Sequence, residues 1–119
     1  MDLVIGGAYQ GKLAYAKEQY HLTDEDIFLC TESDTVDFTK RCVAAFERYL
    51  LSCVRTGTTP ALDFRDDAVV VMRDISGGVV PVEQEIRLWR EWNGRVIQEL
   101  AAKSRHVTRI FCGLPQRLK

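Results

Sequence analysis

The residues best placed to do chemistry stand near the start of the chain, in Gly6-Gly7-Ala8-Tyr9-Gln10-Gly11-Lys12-Leu13. The stretch Gly6–Lys12 matches the G-x-x-x-x-G-K part of a P-loop, in which backbone N–H groups encircle a phosphate and the lysine reaches its outer oxygens. The eighth position departs from that pattern. A serine or threonine there ordinarily lends its hydroxyl to Mg²⁺, and Leu13 cannot ligate a metal. Backbone groups make the cradle, so phosphate binding is expected at Gly6–Leu13, while Mg²⁺ and efficient phosphoryl transfer are left open.

A carboxylate at the end of a neighbouring strand would position Mg²⁺ or its water. Asp74 follows the apolar run Val69–Met72, with glycines close by that leave space for a ligand, and Glu32 follows Ile27–Cys30. Asp74 is the stronger candidate, and with Lys12 it forms the expected catalytic pair. Asp63, Asp66 and Asp67 precede a strand and are expected at the opposite edge of the sheet, solvated. Arg87 and Arg90 offer charge to a substrate phosphate or a subunit contact. The i,i+4 pairs Arg87–Glu91 and Glu91–Arg95 fit an ordinary salt-bridged helix face equally well. Trp89 and Trp92 read as packing residues. His21 and His106 stand at element boundaries without a carboxylate or serine partner, so neither is given a catalytic role. The four cysteines (Cys30, Cys42, Cys53, Cys112) form no Cys-x-x-Cys pair, so no metal site is expected and all four read as buried, reduced thiols.

The elements that must position these groups can be read from the pattern. Leu3-Val4-Ile5 is an unalternating apolar run that stops at a glycine turn, as a strand buried on both faces does. Residues Lys12–Gln19 are good helix formers. Ile27–Cys30 makes a second apolar run, and Ala68–Met72 a third. From Thr35 to Arg55 apolar residues recur at helical spacing (Val36, Thr39, Val43, Phe46, Leu50, Cys53, Val54), with Ser33 or Asp34 to cap the start and Gly57 to end the helix. A polar loop, Thr56–Asp67, follows. Ser76–Pro81 is a turn into a helix over Glu83–Lys103, and Val107–Cys112 is the last strand. The order β-α-β-α-β-α-β predicts an α/β fold: a mostly parallel four-stranded sheet flanked by helices, in a single domain over residues 1–119. Ligands of such sheets bind at the carboxyl ends of the strands, which here means Gly6–Lys12, Thr31–Asp34, Arg73–Gly78 and the segment beyond Cys112.

Composition narrows the partners. The chain is 46% hydrophobic and 28% charged, ordinary for a globular protein, and its net charge of −1 implies no polycationic surface for nucleic acid. No apolar run is long enough for a membrane span, and the N-terminal sequence lacks the basic segment and long apolar core of a secretion signal. A cytoplasmic location is expected.

The segment Val69–Lys119 resembles the bifunctional adenosylcobinamide kinase and adenosylcobinamide-phosphate guanylyltransferase family of cobalamin biosynthesis. Val71-Met72-Arg73-Asp74-Ile75-Ser76-Gly77-Gly78-Val79-Val80-Pro81 is similar to that family's Val-Thr-Asn-Glu-Val-Gly-x-Gly-Ile-Val-Pro. Arg87-Leu88-Trp89-Arg90-Glu91-Trp92-Asn93-Gly94-Arg95-Val96-Ile97-Gln98 is similar to its Arg-x-aromatic-Arg-Asp-x-x-Gly-x-x-Asn-Gln, and Gly113-Leu114-Pro115-Gln116-Arg117-Leu118-Lys119 to its Gly-x-Pro-x-x-Leu-Lys end. The resemblance implies a RecA-like P-loop nucleotide-binding fold, often assembled as an oligomer. It also implies GTP or ATP as the nucleotide, a corrinoid alcohol as kinase substrate, and guanylyl transfer through a phosphoramidate on a histidine. The chain departs from the family at Leu13, at Arg73 and Asp74 (Asn and Glu in the family), and between Tyr20 and Asp26, where no counterpart of the histidine- and arginine-rich segment is found. The family's Val-Asp-Cys-Leu-Thr strand end has a weak echo in Phe28-Leu29-Cys30-Thr31, without its Asp. Family members are also longer. Two readings follow: a member keeping at most the kinase half, or a catalytically degenerate relative acting as a regulatory or interaction subunit.

Overall fold

The computed structural model describes residues 1–8, 10–75 and 83–119. Tyr9 of the glycine turn and the expected turn Ser76–Pro81 lie outside the described residues. In chain order the elements are β1 (Asp2–Gly6), α1 (Lys12–Gln19), a short 3₁₀ turn (Asp24–Asp26), β2 (Ile27–Leu29), β3 (Cys42–Ala44), α2 (Phe46–Thr56), β4 (Val69–Arg73), α3 (Gln84–Lys103), β5 (His106–Phe111) and β6 (Leu114–Arg117).

Leu3-Val4-Ile5 is apolar without alternation because β1 is covered on both faces and paired on both edges. It runs parallel to β4, with Asp2 opposite Val69, and parallel to β5, with Asp2 opposite His106. The six strands lie in the order β2-β3-β4-β1-β5-β6, all parallel except the β5–β6 hairpin. Side chains alternate across the sheet. Leu3, Ile5, Val43, Val70, Met72 and Val107 pack with Phe46 and Leu50 of α2 and Val96 and Leu100 of α3. Val4, Cys42, Ala44, Val69, Val71 and Ile110 pack on the other face with Ala16 of α1. Burying a side chain such as Phe46 or Leu50, neither of which reaches solvent, contributes about 1.5–3 kcal/mol each. The result is a three-layer α/β/α fold, as the strand–helix alternation predicts.

Several expectations are corrected. The sheet has six strands rather than four, and the helix expected over Thr35–Arg55 divides into a loop, β3 and α2. Val36 from the loop, Val43 from β3, and Phe46 and Leu50 from α2 all reach the same core, so they repeat at helical spacing without belonging to one helix. Phe38 enters from the loop, edge-on to Phe46, Tyr49 and Phe64. The backbone of Cys42–Ala44 instead fills the slot between β2 and β4, and Ala45, held at φ 55°, turns the chain into α2. Ser33 and Asp34 therefore cap no helix. At the other end Gly57 does close α2, with φ 68° and its N–H turned back to Cys53 O and Val54 O. β6 escapes a pattern reading because it is an exposed edge strand containing Pro115, whose missing N–H is tolerated there. β2, expected to be buried on both faces, is the other edge, and Leu29 is 55% exposed.

Cys30, Cys42 and Cys53 are buried free thiols, and burial pushes Cys30 up to about 12 and Cys42 up to about 11. Cys112, also expected to be buried, is exposed in the β5–β6 turn. Among the described residues no helix is long and apolar enough to cross a membrane.

Candidate functional site

The parallel pairing brings the carboxyl ends of β1, β3, β4 and β5 to one edge of the sheet, and the glycine turn between β1 and α1 opens there. Glycine is required at two of its positions for different reasons. At Gly6 a Cβ would stand 2.6 Å from the Ile110 carbonyl oxygen, a backbone atom that cannot yield. Gly11 adopts φ 84°, a left-handed conformation that side chains disfavour, and hands the chain to α1 without a side-chain cap. An uncapped helix N-terminus carries unsatisfied N–H groups and a positive dipole end, which together suit an anion.

The turn is held from both sides. Asp74 N–H donates to Gly6 O at 2.8 Å, tying it to the end of β4. Gln10 ties it to the β5–β6 turn, its backbone oxygen accepting from Gly113 N–H at 3.0 Å and its side-chain Oε1 from Cys112 N–H. Lys12 folds back over the turn, and its ammonium donates to Gly7 O at 2.6 Å. Burial lowers the pKa of Lys12 below the ordinary lysine value, Glu47 works against that shift, and Arg73 adds to it.

Glu47, in the first turn of α2, is the residue that sequence reasoning missed. Only 8% of it is exposed, and its Oε1 accepts the Arg73 N–H at 2.8 Å. The Trp89 indole N–H donates to Glu47 O at 2.8 Å, and Asn93 Nδ2 donates to Arg73 O at 3.0 Å. The end of β4 is thus clamped through both backbone groups of Arg73. A signal for Glu47 existed: it follows Phe46 and stands four residues after Val43, so a charged residue lies on an otherwise apolar stripe.

Two hollows meet at this edge. The larger, about 680 Å³, is lined by Ala8, Lys12, Glu32, Glu47, Arg48, Leu51, Arg73 and Trp89, a volume within the usual range for small-ligand sites. The smaller, about 280 Å³, is lined by Gln10, Gly11, Lys12, Leu13, Ala14, Leu29, Ala45 and Glu47. Lys12 and Glu47 belong to both.

Of the cradle residues, Gly6, Gly7, Ala8, Gln10, Gly11, Lys12 and Leu13 are brought together at one turn. Leu13 is half-buried and packs against the apolar cluster beneath α1. Asp74 is exposed one residue past β4, and Glu32 lines the larger hollow while its carboxylate meets Arg55 at 3.2 Å. Arg87 is exposed and Arg90 half-buried on the first half of α3. Arg95 pairs with Glu91 on the same helix, and Trp89 is both packing residue and cavity wall. His106 begins β5 beside Asp2, and His21 follows Tyr20, whose hydroxyl donates to Asp2 at 2.7 Å. Both histidines therefore sit at the other edge of the sheet from Lys12.

The arrangement offers a cationic, backbone-lined anion cradle beside a concave wall with one desolvated carboxylate. Among the described residues no group of three or more His, Cys, Asp or Glu side chains is gathered for a metal ion. The family model described as cobinamide kinase / cobinamide phosphate guanyltransferase matches residues 34–118. No curated protein matches the chain.

Proposed function

Because the chain belongs to the cobinamide kinase / cobinamide phosphate guanyltransferase family, we propose that it binds a purine nucleoside triphosphate, GTP or ATP, through the Gly6–Lys12 turn. The observation that carries this reading is the placement of Lys12. Its desolvated ammonium closes over Gly7 O at the uncapped start of α1, where an incoming phosphate oxygen would replace a single carbonyl. The larger hollow beside it would take the remainder of the nucleotide or the acceptor substrate.

Of the two family activities, the kinase half is the one this site supports. There an acceptor hydroxyl, on a corrinoid alcohol, would attack the γ-phosphorus and give up its proton to solvent, the bond to the β-phosphate oxygen would break, and the nucleoside diphosphate would leave. Lys12 would stabilise charge on the transferring group. A Mg²⁺ ion, when bound with the nucleotide, would offset charge on the β- and γ-oxygens. Guanylyl transfer through a histidine finds no support at this edge, since His21 and His106 lie at the other one.

The second reading, a regulatory or interaction subunit that binds nucleotide without turning it over, is favoured by Leu13, an apolar side chain packed into the α1 cluster at the hydroxyl position. Assembly of several copies, which the family resemblance implies, is supported by exposed Phe111, Leu114 and Leu118 along the β5–β6 edge, and sedimentation velocity tests it.

Nucleotide binding is tested by thermal midpoint against GTP and ATP titration, since a ligand of the folded state alone must raise it. Lys12→Ala is expected to lower affinity by about 10- to 100-fold, the scale of one charge-assisted hydrogen bond. Affinity of the unaltered chain should also fall as pH rises through the lowered pKa of Lys12, below the ordinary 10.5, as the ammonium loses its proton. No midpoint shift at saturating nucleotide refutes the reading.

A further inference from the structure

We propose that Glu47 is the protein ligand for a divalent cation that enters with the nucleotide, standing in for the hydroxyl that Leu13 lacks. The inference rests on the nucleotide-binding reading and adds to it the metal and the residue that holds it.

Leu13 and Glu47 face the same small hollow, beside Lys12. Its other described lining residues are Gln10, Gly11, Ala14, Leu29 and Ala45. Of these, only Gln10 has a side-chain oxygen, and that atom is engaged by Cys112 N–H. Glu47 is therefore the one carboxylate among the described residues that opens on both the position vacated by the hydroxyl and the larger hollow.

The carboxylate is also held in place. The Arg73 N–H fixes Oε1 at 2.8 Å, and the Glu47 backbone oxygen accepts from Trp89, so neither the side chain nor the start of α2 is free to swing away. A ligand oxygen fixed in this way loses little freedom when a cation arrives.

Charge favours the cation. Glu47 is 92% buried, and among the described residues no lysine or arginine closes a salt bridge on it. The nearby Lys12 ammonium is turned to Gly7 O. Arg48 and Arg73 line the larger hollow, but among the described residues Lys12 is the one cation on the smaller hollow that Leu13 and Glu47 share. A triphosphate brought to the glycine turn would share that lysine with a desolvated carboxylate, and two anions of this kind repel strongly at low dielectric. A hard dication between carboxylate and phosphate oxygens turns the repulsion into coordination. One protein carboxylate, phosphate oxygens and water form an ordinary Mg²⁺ or Mn²⁺ shell. Because no preformed group of three acidic or metal-binding side chains is present among the described residues, the cation is expected only with nucleotide.

The test measures GTP affinity by calorimetry in excess Mg²⁺ and in EDTA, and bound Mn²⁺ by electron paramagnetic resonance with and without GTP. The expected result is GTP binding tighter with Mg²⁺ by about tenfold or more, the scale of one charge-assisted contact, with Mn²⁺ immobilised only in the ternary mixture. Glu47→Gln keeps the oxygen that accepts from Arg73 and removes the charge. It should bind GTP equally well in Mg²⁺ and EDTA and leave Mn²⁺ free, and adding Leu13→Ser should restore the metal dependence. Equal GTP affinity with and without Mg²⁺ in the unaltered chain overturns the proposal whatever the variants do, and so does a metal dependence that Glu47→Gln leaves intact. Absence of GTP binding under both conditions overturns the nucleotide reading itself, and this inference with it.

Discussion

The family match covers residues 34–118 and leaves out β1, α1 and β2, the very stretch that contains the glycine turn and Lys12. The two regions nevertheless form one sheet. β1 lies between β4 and β5, both inside the matched region, and the walls of the larger hollow come from both: Ala8, Lys12 and Glu32 from the first, Glu47, Arg48, Leu51, Arg73 and Trp89 from the second. The unmatched region carries the cation and the cradle, and the matched region carries the desolvated carboxylate and the clamp on β4. The larger hollow is thus built at the junction, and neither region forms it alone.

The sharpest way to break that comparison is to ask whether the first region is structurally optional. It is not expected to be. Leu3→Ala removes a side chain that is 1% exposed, and should cost about 2–5 kcal/mol, the same range as Leu100→Ala in the matched region. Urea denaturation of both variants reads the comparison directly. A loss at Leu3 under about 1 kcal/mol, against the full range at Leu100, would show β1 to be an accessory strand.

A smaller effect separates the two edges of the sheet. Asp2 is 6% exposed, and its Oδ2 accepts from the Tyr20 hydroxyl at 2.7 Å. Tyr20→Phe leaves that oxygen without its donor, at an expected cost of about 1–3 kcal/mol, with nucleotide affinity at the far edge unchanged. Burial and Asp2 raise the Tyr20 pKa above its ordinary 10.0. The folded state therefore keeps a proton that the unfolded chain releases. This contribution is complete below about pH 10 and is lost progressively as pH rises above that toward the higher folded value. Stability followed from pH 8 to 11 should fall at the alkaline end in the unaltered chain, and less in Tyr20→Phe.

The smallest effect belongs to the exposed bond between the regions. Arg55 reaches Glu32 at 3.2 Å and Glu85 at 2.6 Å, joining the end of the unmatched stretch to α3. All three side chains are well exposed, so Arg55→Ala should move the thermal midpoint barely at all, and added salt should erase whatever difference remains.

Legibility in the sequence followed physical causes. β1 and β4 are readable because each is an apolar run buried along almost its whole length, and α1 because it is a continuous stretch of helix formers. The glycine turn was readable because its spacing is dictated by backbone geometry. β3 is hidden by Val36, Val43, Phe46 and Leu50, which converge on one core from a loop, a strand and a helix and so imitate a single helix. Glu47 was hidden with it, since a glutamate inside a long helix reads as surface. Asp74 follows an apolar strand as such a carboxylate should, but it is exposed, without the desolvation that marks Glu47.

The central position of β1 also bears on how the chain reaches this state. Its partners are Val69–Arg73 on one side and His106–Phe111 on the other, so the middle of the sheet is laid by the earliest described strand and closed by the latest parallel one. During synthesis one edge of Leu3-Val4-Ile5 stays unpaired until β4 has followed, and the other until α3 and β5 have. Contacts that span so much chain delay the rate-limiting closure and prolong the exposure of a sticky segment. The glycine turn is tied to both neighbours, through Asp74 N–H to Gly6 O on one side and Gln10 to the β5–β6 turn on the other, so its full set of ties exists only once β4 and β5 are both in place.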